Sequence, residues 1–195
     1  MLDFSRVMVI VAHPDDCEPQ VGGTIARFAH KGAFIHHLIA ITPSVARDAS
    51  TIEGHRGERT LEAIEAAKVL GVHHTVFLSF EEYALTHDMP TIQTFDQYVL
   101  DFDPQLIFTH GGIDTHQDHV TVSKIAHTLA RKNRIALWEM GHSFPGGLLP
   151  NRPQPNLFVD ITAYQEQKMR AVFKYRSQVE RYGANWAGGI KARDR

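Results

Sequence analysis

Residues 7–11, Val-Met-Val-Ile-Val, form an unbroken apolar and largely β-branched run, and Ala12-His13-Pro14-Asp15-Asp16 follows at once. A run without polar alternation suits a strand covered on both faces, as in a parallel sheet. One imidazole and two carboxylates therefore stand where such a strand would end. Pro14 stiffens the turn and holds His13 extended. Asp15 and Asp16 are then free to point in different directions. A second apolar run, Leu106-Ile107-Phe108, precedes a second cluster, Asp114-Thr115-His116-Gln117-Asp118-His119.

Apolar runs alternate with amphipathic stretches along most of the chain. Strands are expected at 6–12, 34–42, 75–80, 105–110, 134–140 and 157–161, and helices at 20–31, 56–70, 91–101, 118–132 and 163–179. In the second helix Leu61, Ile64, Ala67 and Leu70 keep a spacing near 3.6, and Gly71 stops it. Strand-helix alternation with short connections argues for parallel βαβ units in an α/β fold of one domain. Ligands of such sheets bind beyond the carboxyl ends of strands, where both His/Asp clusters fall. Residues 43–55 and 141–156 carry the Gly, Pro and Ser of loops, long enough to serve as binding loops or lids. A domain over 1–182 is expected, with a weakly patterned tail over 183–195, mobile or lying on a neighbouring subunit.

Composition narrows the partners. With 20 Lys+Arg against 22 Asp+Glu the net charge is −2, so no global basic field draws nucleic acid or an anionic membrane. A small-molecule substrate fits better. The 13 His favour metal chemistry without locating it. Cys17 is the single cysteine, which excludes an intrachain disulfide and suits a reducing compartment. No apolar run approaches the roughly 20 residues of a membrane span, and no leader pattern opens the chain. A cytoplasmic protein is expected.

A catalytic zinc takes three protein ligands and keeps one position open. His13, Asp16 and His119 make a His₂Asp set of suitable donors. Asp15 then stays free as a general base beside the ion. His116, three residues before His119, would share its helix face; protonated, it would stabilise an oxyanion and then protonate the leaving amine, with Asp118 orienting it. Blander roles exist for the same residues. Paired Asp after a strand also cap helices or make turns, Asp118 suits a helix start, and Asp114 reads first as a turn residue.

These residues resemble the PIG-L/LmbE-like family of zinc-dependent N-deacetylases, which includes N-acetylglucosaminylphosphatidylinositol deacetylases and the deacetylases of mycothiol and bacillithiol biosynthesis. The likeness rests on Ala12 to Asp16, Gly22-Gly23-Thr24, Arg59-Thr60-Leu61-Glu62, Leu70-Gly71-Val72, Asp114 to His119, Val159 to Thr162, Lys168, and Tyr175-Arg176-Ser177-Gln178, in order over about residues 6–178. It implies a Rossmann-like, mostly parallel sheet with helices on both faces. It also implies hydrolysis of the N-acetyl group of a glucosamine-type sugar or its conjugate. By resemblance His13, Asp16 and His119 bind Zn²⁺ (or Fe²⁺), Asp15 is the base, and His116 with Asp118 behind it handles the oxyanion. Arg59 is similar to a family arginine that contacts the sugar or its anionic substituent, although an ion pair with Glu62 serves equally on the residues alone. The chain departs from the pattern at Cys17, where Glu or a small residue is usual, and at Gln117, where Pro is common. It is also short after Gln178.

Other features weigh less. His36-His37 and His73-His74 are adjacent pairs whose side chains would diverge. His110 reads as a structural histidine, and His142 as a candidate substrate contact. Phe173, Tyr175 and Tyr182 read as helix packing. Other functions remain open: a zinc amidase for another small N-acyl or thiol-conjugate amide, or a metal- or nucleotide-binding module without turnover. The first βα turn lacks Gly-x-Gly-x-x-Gly, against a dinucleotide. The expected partner is a small amino sugar, and a homo-oligomer is compatible with the sequence.

Overall fold

The computed structural model describes residues 3–42, 52–141 and 155–194. Five strands form one parallel sheet: β1 (Arg6–Val11), β2 (Phe34–Ile41), β3 (His74–Phe80), β4 (Leu106–Thr109) and β5 (Ala136–Glu139), in the order β3-β2-β1-β4-β5. Seven α-helices accompany them: α1 (Glu18–His30), α2 (Ile52–Leu70), α3 (Met89–Phe102), α4 (Gln117–Asn133), α5 (Gln165–Val172), α6 (Arg176–Tyr182) and α7 (Ala184–Arg193).

Strand β1 sits at the centre, and its alternating side chains feed two cores. Val7, Val9 and Val11 face Ile25 and Ala26 of α1, Ala63, Ala66 and Leu70 of α2, and Ala171 of α5. Met8, Ile10 and Ala12 face Ile92, Phe95 and Val99 of α3 and Val122, Ile125 and Leu129 of α4. Each full burial of such a side chain stabilises by about 1.5–3 kcal/mol. The chain runs from β1 through β2 to β3 on one side, then returns by way of α3 to β4 and β5 on the other side of β1. The carboxyl ends of β1 and β4 thus flank the switch point, the crevice where α/β sheets bind ligands.

Glycines 22 and 23 let α1 approach its neighbours. A Cβ at Gly23 would lie 2.7 Å from Ile161 Cδ1 and 2.9 Å from its Cβ, and one at Gly22 would meet Lys168 Cγ at 3.3 Å. Such contacts explain why residues 157–161, expected as a strand, join no ladder among the described residues. Ile161 packs on α1, and the Asp160 carbonyl accepts from Arg27 Nη1 at 2.5 Å. Only the end of the segment meets the helix, while Leu157 and Phe158 stay exposed at 51% and 82%.

The helix expected at 163–179 is broken into a 3₁₀ turn (Thr162–Tyr164), α5 and α6. The break at 173–175 turns Tyr175 inward, where it is fully buried and its hydroxyl donates to Glu18 Oε1 at 2.9 Å. Phe173 and Tyr182 stay about half exposed, so only Tyr175 packs as expected of the three. The residues after Gly183 form α7, which packs Ala187 and Ile190 against Met169 and Val172. Asp194, just past it, accepts from the buried Lys168 Nζ at 2.5 Å. The expected loops 43–55 and 141–156 lie largely outside the described residues, and His142 lies wholly outside them. No described helix is long and apolar enough to cross a membrane.

Candidate metal and catalytic site

The turn after β1 carries the first cluster. Its backbone is left-handed at Asp15, with φ of 80°, a conformation Asp tolerates better than most residues. That one reversal sends Asp15 and Asp16 apart. Asp16 folds back so that Oδ2 accepts from its own turn, the His13 N–H, at 2.7 Å. Asp15 Oδ1 instead accepts from Arg59 Nη2 at 2.9 Å, and the same nitrogen donates to the Pro14 carbonyl at 3.0 Å. Arg59 thus reaches back from α2 to the site. Glu62, its alternative partner, accepts from Ser177 through the backbone N–H and the hydroxyl.

The second cluster opens α4. His116 is the N-cap, and its Nδ1 accepts from the Asp118 N–H at 3.3 Å. This leaves Nε2 to carry the ring hydrogen and donate. His119, one turn on, places Nε2 3.4 Å from Asp16 Oδ1 and Nδ1 2.9 Å from Asp114 Oδ2. Asp118 is fully buried. Its Oδ2 accepts from the Tyr83 N–H at 3.0 Å and lies 3.4 Å from His13 Nε2, closer than the 3.8 Å to His116 Nδ1. Asp118 therefore serves His13 at least as much as His116, unlike the pairing expected from the sequence.

In this crevice two donor sets of ligating size emerge among the described residues, His13-His116-His119 and Asp16-His110-His119. They share His119, and the trio His13, Asp16 and His119 draws on both. His110, fully buried, also accepts from the Ala12 N–H through Nε2 at 3.0 Å, and that nitrogen is 3.3 Å from Asp16 Oδ2. An imidazole nitrogen filled by a backbone N–H is a poor ligand, so His110 holds the end of β1 through Ala12 and stands outside the ligand set. Its ring stacks on His119, centroids 4.1 Å apart.

Charge in the crevice favours a cation. Burial works against a charged His119, but Asp16 and Asp114 outweigh it and hold the imidazole up at about 10. Burial likewise opposes a charged His13, and Asp118 and Asp16 raise it to about 9. Asp16 is held well below the usual carboxylate range, because His110 and His119 overcome its burial. Asp15 moves the other way: burial raises it to about 6 against the pull of Arg59. His116 is lowered by burial and by the neighbouring His13 and His119. The protonated His116 expected from the sequence is thus disfavoured, and a neutral ring donating from Nε2 takes its place.

A divalent ion fits this set of residues. Two imidazoles that hold protons only because carboxylates surround them would release those protons to a metal. Among the described residues Asp118 Oδ1 is buried without a hydrogen-bond partner, and His13 Nε2 has only the 3.4 Å contact with Asp118 Oδ2; a His13 bound to a metal through its other nitrogen would donate to that carboxylate. The Asp114 contact fixes the His119 tautomer in the manner of outer carboxylates around metal-bound histidines. Asp114 is therefore more than the turn residue expected.

Two contributors, Tyr83 and Glu139, escaped the sequence. Tyr83, itself left-handed at φ 64°, stacks on His116 with centroids 5.4 Å apart and accepts from Gln117 Nε2 at 2.8 Å through its carbonyl. Gln117, in place of Pro, thus ties the loop after β3 to the start of α4. Glu139 Oε1 pins the loop after β4 by accepting from the Gly112 N–H at 3.1 Å, with His127 Nε2 2.8 Å away.

Comparison with known proteins bears on the family and the fold. The model of the PIG-L family, described as GlcNAc-PI de-N-acetylase, matches residues 8–130. A protein of Escherichia coli (strain K12) called uncharacterized deacetylase YaiS is 29% identical over 178 residues, 88% of this chain and 90% of its own. Diacetylchitobiose deacetylase of Thermococcus kodakarensis is 27% identical over 192 residues, 90% of this chain and 71% of its own. The crystal structure of GalB, the 4-carboxy-2-hydroxymuconate hydratase of Pseudomonas putida KT2440, superposes with a TM-score of 0.79 at 20% identity, over 97% of this chain and 83% of that one. That likeness shows the fold alone.

Proposed function

This chain belongs to the PIG-L family, and from that premise we propose that it is a metal-dependent hydrolase that removes the acetyl group from an N-acetylglucosamine-type sugar or its conjugate. One observation carries the reading. Two adjacent carboxylates diverge at a left-handed turn, Asp16 toward His119 and Asp15 toward Arg59. A binding site without turnover needs the first and gains nothing from the second. The diacetylchitobiose deacetylase relative supports the substrate class.

His13, Asp16 and His119 would hold the ion, zinc or iron(II). Bound there, such an ion polarises the amide carbonyl and acidifies water toward neutrality. Asp15 takes the proton of the attacking water and returns it to the departing amine. Arg59 fixes the Asp15 carboxylate through Oδ1, leaving Oδ2 for the proton, and its charge lies where an anionic group on the sugar would be drawn. His116 donates from Nε2 to the oxygen that gains charge, its ring held by the Asp118 N–H and by Tyr83. Asp118 steadies His13 from behind. His142 remains a candidate substrate contact on the sequence alone.

The test is acetate release by metal-loaded protein from free, phosphorylated, nucleotide-linked and glycosidic N-acetylglucosamine. Asp15→Asn is expected to keep its metal and lose about 10²–10⁴ in rate. His119→Ala is expected to lose metal and activity together. Wild-type metal content in His119→Ala would overturn the ligand set. Acetate release that ignores Asp15→Asn would overturn the base.

A further inference from the structure

One peptide bond beyond Asp16, three more donors converge beneath the turn. Cys17 Sγ lies 3.6 Å from His37 Nε2. A Glu18 carboxylate oxygen completes the group, and the three donor atoms lie within 4.8 Å of one another. Cys17 and Glu18 come from the start of α1. His37 comes from β2, in register with Val9 of β1. All three are at most 1% exposed. The mechanism above uses none of them.

The carboxylate is the telling member. Glu18 Oε1 accepts from Tyr175, but Oε2 is buried among the described residues with only the Cys17 thiol placed to serve it. A carboxylate oxygen so poorly paired is costly to keep in a dry core. It stands beside a thiol and an imidazole, both of which bind borderline-soft metals.

We propose that Cys17, Glu18 and His37 form a second, buried metal site for a borderline-soft divalent cation such as zinc. Thiolate, carboxylate and neutral imidazole bring two negative charges to a dication, so the set is neutral and tolerable in a dry core. Magnesium and calcium prefer all-oxygen ligands and are poorly matched. Zinc bonds of about 2.0–2.3 Å put tetrahedral donors roughly 3.3–3.8 Å apart, so the donors close by about 1 Å. Tyr175 backs the carboxylate as outer partners do. On binding, the Cys17 thiol releases its proton to solvent and its sulfur lone pair forms the metal bond. This site is independent of the deacetylase reading, and its test reads metal binding alone.

The full chain is stripped with chelator and titrated with Co²⁺, followed by absorbance and by bound metal. Cys17 is the single cysteine, so any thiolate-to-cobalt charge-transfer band reports this residue. The band is expected in wild type and in His119→Ala, where the upper site is crippled. It should vanish in Cys17→Ser with the loss of one bound equivalent, and His37→Gln should weaken it by about ten-fold or more in cobalt affinity. Folding of each variant is checked by circular dichroism, and the wild-type band decides the matter if a variant misfolds. Saturation of folded wild type without a thiolate band overturns the site. So does a band that disappears in His119→Ala yet survives His37→Gln, since the thiol would then be serving the upper ion.

Discussion

The cluster around Asp16 sets Asp16, Asp114 and Asp118 among four imidazoles and opens to solvent at His116 and at Tyr83, which is 62% exposed. The cluster around Cys17, one peptide bond along, is sealed between α1, β2 and Tyr175. A strand end alternates its side chains between neighbouring environments, so two adjacent residues can serve opposite chemistries. The open cluster accumulates partly satisfied groups that a substrate and an ion can engage. The closed one keeps its polar atoms from water and needs internal pairing. If this contrast holds, changes above should alter turnover at constant stability, and changes below should alter stability or metal retention.

The largest effect expected in the open cluster, apart from loss of the base or of a metal ligand, is that of His116→Ala. Removing one preorganised donor to a developing oxyanion typically costs about 10²–10³ in rate. The N-cap contact to Asp118 is also lost, worth about 1 kcal/mol of stability, so thermal melting should move only slightly. A kcat within two-fold of wild type would remove His116 from the reaction. A large drop in melting temperature would make it a structural cap like any other.

The closed cluster is probed by Glu18→Gln in metal-stripped protein. Burial raises the Glu18 carboxyl from 4.5 to about 7. A folded value above the unfolded one means its contribution is fully present below pH 4.5 and is lost as pH rises through about 7. The loss approaches about 3 kcal/mol at 1.36 kcal/mol per unit. Glutamine has no such dependence, so the variant should gain on wild type between pH 5 and 8. Asp15, also raised by burial, to about 6, titrates in both proteins and cancels in the difference. Denaturation curves that stay parallel across that range would remove the buried-carboxyl argument.

Gly23→Ala disturbs what both clusters hang from. The new methyl meets Ile161 at its Cβ as well as at its tip, so rotamer change alone gives no relief. Overpacking of this kind costs about 1–3 kcal/mol. Denaturant midpoints should fall while KM stays fixed, because no site group moves directly. Ile161→Ala in the same chain should restore much of the loss, and absence of that rescue would place the cause elsewhere.

Legibility followed burial and periodicity. Strands β1, β2 and β4 announced themselves as apolar runs because they are covered on both faces. Their order did not, since pairing depends on which helices cross where. The 157–161 run deceived for a related reason: β-branched residues serve equally to cover α1, and nothing local distinguishes a strand edge from a helix face. At the site, residue types at fixed offsets exposed His13, Asp15, Asp16, His116 and His119. Tyr83 and Glu139 act through loop geometry, and Arg59 reaches Asp15 across 44 positions; spacing encodes none of this.

Asp114 lies between these cases and gives the smallest expected effect. Its carboxylate is bonded twice, by the His116 N–H at 2.9 Å and with His119 Nδ1 at 2.9 Å. The first bond makes it a turn residue. The second aims His119 Nε2 at Asp16. Asp114→Ala should therefore weaken metal binding by about 10–100-fold, the usual cost of losing a carboxylate behind a metal-bound histidine. Excess metal should restore kcat almost fully, because the ligands themselves remain. Asp114→Asn separates the two roles. Its amide oxygen can still accept from the His116 N–H, and with the oxygen committed there, the NH₂ facing Nδ1 would favour the wrong His119 tautomer. If Asn behaves like wild type in metal affinity, the turn bond is what matters and the sequence's plainer reading of Asp114 was sufficient. If Asn behaves like Ala, the tautomer of His119 is what Asp114 controls, and the open cluster depends on a residue that touches neither ion nor substrate.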